Sequence, residues 1–258
     1  MNTEKVSIVL PTYNGAEFID QSIQSVINQT YQSWELIIVD DCSTDSTPEI
    51  IREYSNSDNR IRIIRNNNNL KLPASLNVGF SKATGVYYTW TSDDNIFDSD
   101  ALEVMVEAFS NNPRADLVYC DVRRIDDTGH PAKAKQFSTS PQFLYLYNVI
   151  QACFLYRSTV HEELGGYDPS LFLVEDYDFW LRAFRKHQFI HIKGPHYSYR
   201  MHAKSLSSTR ELEIRNKTRS LISREITRGD LPISKLLCAA TGLIYNTVMY
   251  RIASHRLK

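Results

Sequence analysis

Two stretches of the sequence decide the fold: VSIVLPTYN at residues 6–14 and ELIIVDDCSTD at residues 35–45. Each begins with a short aliphatic run and then turns abruptly polar, which is typical of a buried strand in a parallel sheet followed by a loop. Between them, apolar residues recur at helical spacing: Phe18, Ile19, Ile23, Val26 and Ile27. The first 45 residues therefore predict a strand–helix–strand unit.

The same alternation continues to residue 122. The expected strands are 6–10, 35–39, 61–65, 86–90 and 116–121. Further helices are expected from a capping box, Ser46-Thr47-Pro48-Glu49, and at 73–83 and 99–109. This pattern predicts an α/β fold with a mostly parallel, Rossmann-like sheet flanked by helices.

After residue 122 the alternation breaks, which predicts a mixed sheet edge. Asp126-Asp127-Thr128-Gly129 is expected to form a hairpin turn and residues 130–142 a loop. The remaining expected elements are strands at 152–156, 189–192 and 196–200, and helices at 175–187, 210–227 and 233–253.

Composition limits the function classes. The chain has 258 residues, 42% of them hydrophobic, and a formal net charge of -1, so no global field attracts nucleic acid or anionic lipid. The four cysteines are scattered without a CxxC pair, which favours a reducing compartment. The apolar run at 6–10 is too short for a signal sequence or a membrane span. We expect a cytoplasmic protein.

The last helix has two interpretations. One apolar face is expected there, beside Lys235, Arg251, His255 and Arg256; it consists of Leu236, Leu237, Ala240, Leu243, Ile244, Thr247, Val248 and Ile252. This face either packs on the core or on a partner copy, or it contacts a membrane from the cytoplasmic side. Asn246 argues against a span.

Polar residues follow three of the predicted strands, at 11–15, 40–43 and 91–95. Because the carboxyl ends of parallel strands meet at one edge, these residues should converge on one crevice. One carboxylate of Asp93-Asp94 suits a ribose or base edge, and the other suits a divalent cation on a diphosphate. A single Asp-Asp pair also occurs in a solvated turn or helix cap. Two pairs at successive strand ends favour a site.

No GxGxxG follows the first strand and no GxxxxGK[ST] motif occurs. The backbone cradle that these motifs build around phosphates is therefore not expected. Metal and side chains should hold any phosphate.

These residues resemble family 2 glycosyltransferases, which have the GT-A fold. The opening stretches at 6–14 and 35–45 carry the resemblance, and it continues through ASLNVG at 74–79, SDD at 92–94 and GGYD at 165–168, followed by EDYDFWLR at 175–182. The resemblance implies a GT-A domain over 1–208, with a nucleotide-sugar-binding half at 1–122 and an acceptor half at 123–208. Residues 209–258 would form a C-terminal helical extension.

On the donor side, the resemblance implies that Thr12, Tyr13 and Asp40 line the nucleoside pocket, and that Pro11 and Asn14 also belong to the substrate-binding residues. Lys71 would lie near the diphosphate and Asp93 would face the ribose. Asp94 would bind Mn²⁺ or Mg²⁺, with His202 as a second group that reaches the metal or diphosphate. A lone histidine is as often structural. The sequence departs from the family's Asp-x-Asp motif, because Thr91 stands two residues before Asp93.

On the acceptor side, the resemblance implies that Asp176 is the catalytic base and that Glu175 orients the acceptor. An inverting transfer needs such a base opposite the leaving nucleotide. The alternative is that Glu175, Asp176 and Asp178 only stabilise the first turn of a helix. The preceding GGYD motif favours the catalytic interpretation.

The expected partners are a nucleotide-diphosphate sugar, preferably a UDP-sugar, and a glycan or lipid-linked acceptor in surface polysaccharide assembly. The QxxRW signature of processive synthases in this family is missing, so a single transfer is expected. Two other functions compete. One is a sugar nucleotidyltransferase, although its Gly-rich loop is missing; the other is a nucleotide-sugar or glycan-binding module without catalysis.

Overall fold

The structure is a computed structural model that describes residues 4–132, 140–229 and 231–256. The predicted loop at 130–142 lies partly outside these residues. Within them, eight strands form one sheet. In chain order the strands are β1 (Val6–Thr12), β2 (Trp34–Asp40), β3 (Ile61–Arg65), β4 (Tyr87–Trp90), β5 (Ile96–Phe97), β6 (Leu117–Ile125), β7 (Phe154–Arg157) and β8 (Phe189–Arg200).

The sheet has the order β3-β2-β1-β4-β7-β6-β8-β5. The first four of these strands are parallel, and β1 pairs with both β2 and β4. Every residue of β1 and β2 is buried, because helices cover both faces of the sheet. The predicted parallel half is confirmed.

The second half of the sheet is mixed, as predicted. β7 runs antiparallel to both β4 and β6, whereas β6 and β8 are parallel. The turn at 126–129 forms: the Gly129 amide donates to Asp126 O at 3.1 Å. The prediction of two strands at 189–192 and 196–200 was wrong. They are one strand with an irregular register opposite Asp121, where Gly194 has a φ of +113°.

The helices are α1 (Ile19–Ile27), α2 (Thr47–Ser57), α3 (Leu72–Phe80), α4 (Ala101–Asn111), α5 (Ser158–Leu164), α6 (Glu175–Ala183), α7 (Leu206–Thr209), α8 (Glu211–Thr227) and α9 (Ile233–Arg256). The sequence analysis missed α5 and extended α6 too far. The predicted capping box does not form: Ser46 makes no capping bond, and Asp45 Oδ1 instead accepts from the Thr47 amide at 3.0 Å.

The two long C-terminal helices, α8 and α9, pack on the core of the mixed half through Leu221, Ile222 and Ala239. The predicted apolar face of α9 is divided. Leu243 packs partly against the core, whereas Leu237 and Ile244 are exposed. Most of the residues that the helix turns toward the protein are small, while most of its large aliphatic residues are exposed.

Candidate functional site

Side-chain hydrogen bonds tie the loops after β1 and β2 together. Asn14 adopts a left-handed φ of +56°, and its Oδ1 accepts from the Thr44 amide at 2.8 Å. The Asn14 amide in turn donates to Ser43 Oγ at 2.9 Å. Asparagine tolerates this backbone conformation better than most residues. Asn14 therefore fixes the wall of the crevice, and Pro11 lies three residues before it in the buried C-terminal part of β1.

Asp40 lies at the end of β2, where one carboxylate oxygen is hydrogen-bonded and the other forms an ion pair without hydrogen-bond geometry. Its Oδ1 accepts from the Ser43 amide at 2.9 Å, and its Oδ2 pairs with Arg65 Nη1 at 2.9 Å. By contrast, Tyr13 is 51% exposed beside it. The structure thus places Asp40 in the base of the crevice and leaves the Tyr13 ring at its surface.

Asp41 organises the loop that carries Lys71. Its carboxylate accepts from the amides of Leu70 and Lys71 at 2.8 and 2.9 Å, and from Asn66 Nδ2 at 2.8 Å. Lys71 has a φ of +72°, a strained value for a residue with a side chain. Because Asp41 holds the backbone there, the exposed Lys71 stays at the mouth of the crevice.

Asp93 sits beneath the loop after β1. Thr12 Oγ1 donates to Asp93 Oδ2 at 2.5 Å. Burial and the neighbouring charge of Asp94 raise the pKa of Asp93 to about 7. Gly15 permits this approach, since a Cβ there would lie 2.1 Å from Asp93 Oδ2. The predicted substrate residues Thr12 and Asp93 are therefore in direct contact.

Asp94 and His202 meet although they are far apart in the sequence. Asp94 Oδ2 lies 3.0 Å from His202 Nε2, while Asp94 Oδ1 is buried without a hydrogen-bond partner among the described residues. The sequence analysis did not single out Arg200, which is buried and donates to Asp94 O at 2.9 Å. A buried acceptor without a donor is costly, so this oxygen is available for a ligand.

A second group of potential metal ligands lies near the outer sheet edge formed by β5. Ligand atoms of Asp98, Asp100 and His196 lie within 4.8 Å of one another. Asp98 Oδ1 is already paired with Arg123 Nη1 at 2.5 Å, and Asp100 Oδ1 lies 3.0 Å from His196 Nδ1. Each of these contacts satisfies part of the cluster without an ion.

The acceptor-side carboxyl groups lie at the start of α6. Asp176 accepts from the Tyr177 amide at 2.6 Å and from Asn148 Nδ2 at 2.9 Å. Burial raises the pKa of Asp176 to about 6. Glu175 Oε2 is buried and has no partner within the described chain. Its burial and the charge of Asp176 raise the pKa of Glu175 to about 8. No local pattern in the sequence marks Asn148.

Asp178 differs from these two groups. Its Oδ2 accepts from Arg182 at 2.7 Å, and its Oδ1 pairs with Arg224 of α8. The alternative interpretation, that acidic residues here only stabilise the first turn of the helix, thus applies to Asp178, which forms structural ion pairs. Within the part of the chain that the structure describes, Asp176 and Glu175 form no ion pair of this kind.

Contacts and electrostatics place the two carboxyl groups of the site around shared residues. Burial raises the pKa of the Tyr199 hydroxyl, and the charges of Asp94 and Asp176 both add to this effect. The Asn77 side chain also clamps Tyr167, accepting from its amide at 2.9 Å and donating to its carbonyl at 2.7 Å. The predicted donor-side half, which carries Asn77, and the predicted acceptor-side half, which carries Tyr167, are therefore packed directly against each other.

Comparisons with known proteins agree with this arrangement. The family model of Glycosyl transferase family 2 matches residues 7–174. An uncharacterized glycosyltransferase of Rickettsia prowazekii is 30% identical over 190 residues, which are 70% of this chain and 58% of the relative. A putative teichuronic acid biosynthesis glycosyltransferase of Bacillus subtilis, TuaG, is 35% identical over 102 residues, 40% of each protein. This chain thus spans less than two thirds of either relative.

Two solved structures share the fold. S. aureus TarS in complex with UDP-GlcNAc superposes with a TM-score of 0.72 and 19% identity, covering 93% of this chain and 70% of the other. The mannosyltransferase PcManGT from Pyrobaculum calidifontis, in complex with GDP-Man and Mn²⁺, superposes with a TM-score of 0.73 and 17% identity, covering 99% and 76%. The predicted GT-A fold is confirmed.

The buried carboxyl group of Glu175, whose Oε2 has no hydrogen-bond partner among the described residues, predicts a pH-dependent stability. Because its folded-state pKa of about 8 lies above the unfolded value, its contribution to folding is complete in acid and is lost as pH rises toward 8. Glu175→Gln stays neutral. We expect its melting temperature to exceed that of the parent by roughly 3 °C or more at alkaline pH. Thermal unfolding followed at pH values well below and above this pKa measures the difference.

Glu107→Gln is the matched control, because Glu107 is exposed on α4. That variant should track the parent at both pH values. An advantage of Glu175→Gln that is as large in acid as in base would contradict the assigned pKa.

Proposed function

Because the chain belongs to glycosyl transferase family 2, we propose that it is an inverting, metal-dependent glycosyltransferase that moves a sugar from a nucleotide-diphosphate sugar to an acceptor hydroxyl. The observation that carries the proposal is the buried, unpartnered Oδ1 of Asp94 beside His202 at the carboxyl ends of parallel strands. This edge is where open α/β sheets bind their ligands.

The donor set at this edge fits a hard divalent cation. Asp94 offers a carboxylate oxygen without a donor, and His202 offers a ring nitrogen 3.0 Å from the other oxygen. Mn²⁺ and Mg²⁺ favour such oxygen ligands, and Mn²⁺ also accepts imidazole. We propose that Asp94 and His202 hold the ion. Bound there, it would neutralise charge on the departing diphosphate.

The remaining donor-side residues would hold the nucleotide. Tyr13 presents an exposed ring for stacking on a base, Asp40 and Asn14 shape the wall, and Lys71 stands at the mouth as a cation for phosphate. Asp93, fixed by Thr12, would face the ribose. We favour a UDP-sugar, since TarS binds UDP-GlcNAc in a similar fold, although PcManGT binds GDP-Man.

Asp176 would take the proton from the attacking acceptor hydroxyl. Burial has raised its pKa to about 6, so it is a stronger base than an ordinary aspartate and is still ionised at neutral pH. Asn148 fixes one of its oxygens, and Glu175 would orient the acceptor. One attack on the anomeric carbon, with no covalent intermediate on the protein, inverts the configuration.

We propose a glycan or lipid-linked acceptor and a role in surface polysaccharide assembly. The relative TuaG, named for teichuronic acid biosynthesis, supports this class of pathway. A cytoplasmic location is supported by the free thiols of Cys42, Cys120, Cys153 and Cys238. The competing function is a nucleotide-sugar or glycan-binding module without catalysis, and the variants below separate the two.

Asp94→Asn should weaken metal-dependent donor binding by about tenfold or more, because the ion loses its carboxylate ligand. The measurement is the thermal shift caused by UDP-GlcNAc, GDP-Man and related nucleotide sugars, each with and without Mn²⁺. Asp100→Asn is the matched control, since Asp100 belongs to the cluster at the β5 edge. Loss of the Mn²⁺-dependent shift in Asp100→Asn alone would move the proposed metal site to that edge.

Asp176→Asn should keep donor binding and lose transfer by roughly 10²- to 10⁴-fold, because an amide cannot accept the hydroxyl proton. Release of nucleoside diphosphate over a panel of glycan and lipid-linked acceptors measures transfer. Asp127→Asn is the control, because Asp127 is exposed, and this variant should behave as the parent.

Two results would reject this function. A parent protein that binds donors but releases no nucleoside diphosphate with any acceptor would favour the binding module. Pyrophosphate released from a nucleoside triphosphate and a sugar phosphate would show a nucleotidyltransferase instead.

The rate of transfer should fall in acid. With the pKa of Asp176 at about 6, the base is protonated below that pH, so kcat/KM should drop about tenfold for each further pH unit. The pH profile of kcat/KM, taken with donor binding measured over the same range, checks this. Glu175→Gln should keep this acidic limb, because the neutral form of Glu175 already prevails there. A profile that stays flat to pH 4 would contradict Asp176 as the base.

A further inference from the structure

Small side chains hold α9 against the protein. A Cβ on Gly242 would lie 2.3 Å from Tyr145 O, so the helix backbone approaches the segment after the turn at Pro141–Phe143 very closely. Asn246 Nδ2 donates to Leu146 O at 3.1 Å. Ala239 and Ala253 complete this buried face. The inward face of α9 is therefore already occupied by the chain itself.

The outward face of α9 is a row of large aliphatic side chains. Ile233 is 78% exposed, Leu237 65% and Ile244 68%. Val248 and Ile252 continue the row toward the C-terminus and are also exposed. We call these five residues the aliphatic row. Successive members are four or seven residues apart, which is one or two helical turns, so they share one face of the helix, which is typical of an interaction surface.

A membrane crossing does not fit this arrangement. By length and composition, Ile233–Ser254 is apolar enough to span a bilayer. A span would have to remove Gly242 and Asn246 from their contacts with the segment at 145–146. Lys235, whose ammonium lies 4.4 Å from the Phe184 ring, would also have to leave. Whatever covers the aliphatic row must therefore bind to its exposed side while α9 stays folded against the protein.

The net charge of the C-terminal segment distinguishes between two candidate partners of the aliphatic row, a second copy of the chain and a membrane. Residues 209–258 contain ten Lys and Arg against four Asp and Glu, a net charge of +6, while the preceding 208 residues carry the balance of -7. A symmetric dimer through the aliphatic row would bring two segments of +6 together. An anionic bilayer would instead attract the segment while accepting the apolar strip.

A groove beside the row matches lipid phosphate chemistry. It lies between α8 and α9, has a volume of about 580 Å³, and is lined by Arg219 together with hydroxyl groups of Ser220, Ser223, Thr227 and Thr247. Arg219 Nε donates to Thr247 Oγ1 at 3.1 Å, and within the described chain Arg219 has no carboxylate partner. Its remaining N–H groups are therefore available to an anion. Leu243 and Thr247 of the groove each directly precede a member of the aliphatic row.

We propose that α9 lies flat on an anionic membrane surface, with the aliphatic row in the acyl boundary and Arg219 toward lipid phosphates. Interfacial helices bind in this way through combined apolar burial and basic charge. The proposal is independent of the proposed transfer reaction. If it holds, the protein is a peripheral membrane protein and works next to the bilayer.

Co-sedimentation of the full chain with vesicles tests the proposal. The protein should bind phosphatidylcholine vesicles containing about one third phosphatidylglycerol, and high salt should weaken this binding. The triple variant Leu237→Ser, Ile244→Ser, Val248→Ser should bind at least about tenfold more weakly. Its melting temperature should stay close to that of the parent, because at least half of the surface of each of these three residues is exposed. Alkaline extraction should release the bound parent.

A second variant and a matched control sharpen the test. Arg219→Gln should bind anionic vesicles more weakly and with a shallower salt dependence, while Val86→Ser, an exposed aliphatic residue far from α9 in sequence, should bind as the parent. Equal binding of the parent and the triple variant would overturn the proposal. The proposal would also be overturned if the parent were a dimer in solution and the triple variant a monomer, since the aliphatic row would then be an interface between two copies of the chain.

Discussion

The candidate site depends on the parallel pairing of β1 with both β2 and β4. The register places Thr12 opposite Asp40 and Val9 opposite Trp90, so all three strands end at one edge. The loop after β4 then brings Asp93 under Thr12 without any special geometry of its own. Parallel strands buried on both faces leave their polar residues no other place to emerge. The acidic crevice is thus a consequence of the sheet.

Buried carboxyl groups fall into two classes in this protein, and the difference marks function. Glu35 accepts from Ser7 and Thr84 and pairs with Arg62, and Asp178 is held by two arginines. These groups are satisfied and stabilise the fold. Among the described residues, Glu175 and Asp94 each keep one buried oxygen with neither a hydrogen-bond donor nor an ion pair, unlike Asp40 and Glu225, whose unbonded oxygens face arginines. Such groups cost stability, and proteins retain them where a ligand or a reaction needs them.

The sequence predicted the features that depend on local pattern. The aliphatic runs located β1 and β2 correctly, because the strand period is written in neighbouring residues. Strand-end polarity pointed to Asp94, whereas Asp176 came from the resemblance to family 2, and the roles of both stay predictions. The structure also shows contacts between residues far apart in the sequence, which a local sequence pattern cannot predict. Asn148 reaches Asp176 across 28 positions, and Arg200 reaches Asp94 across 106. Periodicity likewise found the apolar character of α9 but not which face the chain itself covers.

The side-chain amide of Asn77 and the ring of Tyr167 join the two halves of the crevice. Asn77 on α3 binds both backbone groups of Tyr167, whose hydroxyl accepts from Trp90 Nε1 at 3.0 Å at the end of β4. A Cβ on Gly166 would lie 2.7 Å from Asn77 Oδ1, so the glycine is required for this closeness as well as for its φ of +77°. The GGYD motif at residues 165–168 thus has a structural role. It docks the segment that leads into Glu175 and Asp176 onto the donor-side strand, and so fixes Asp176, the proposed base, relative to the residues that would hold the leaving group.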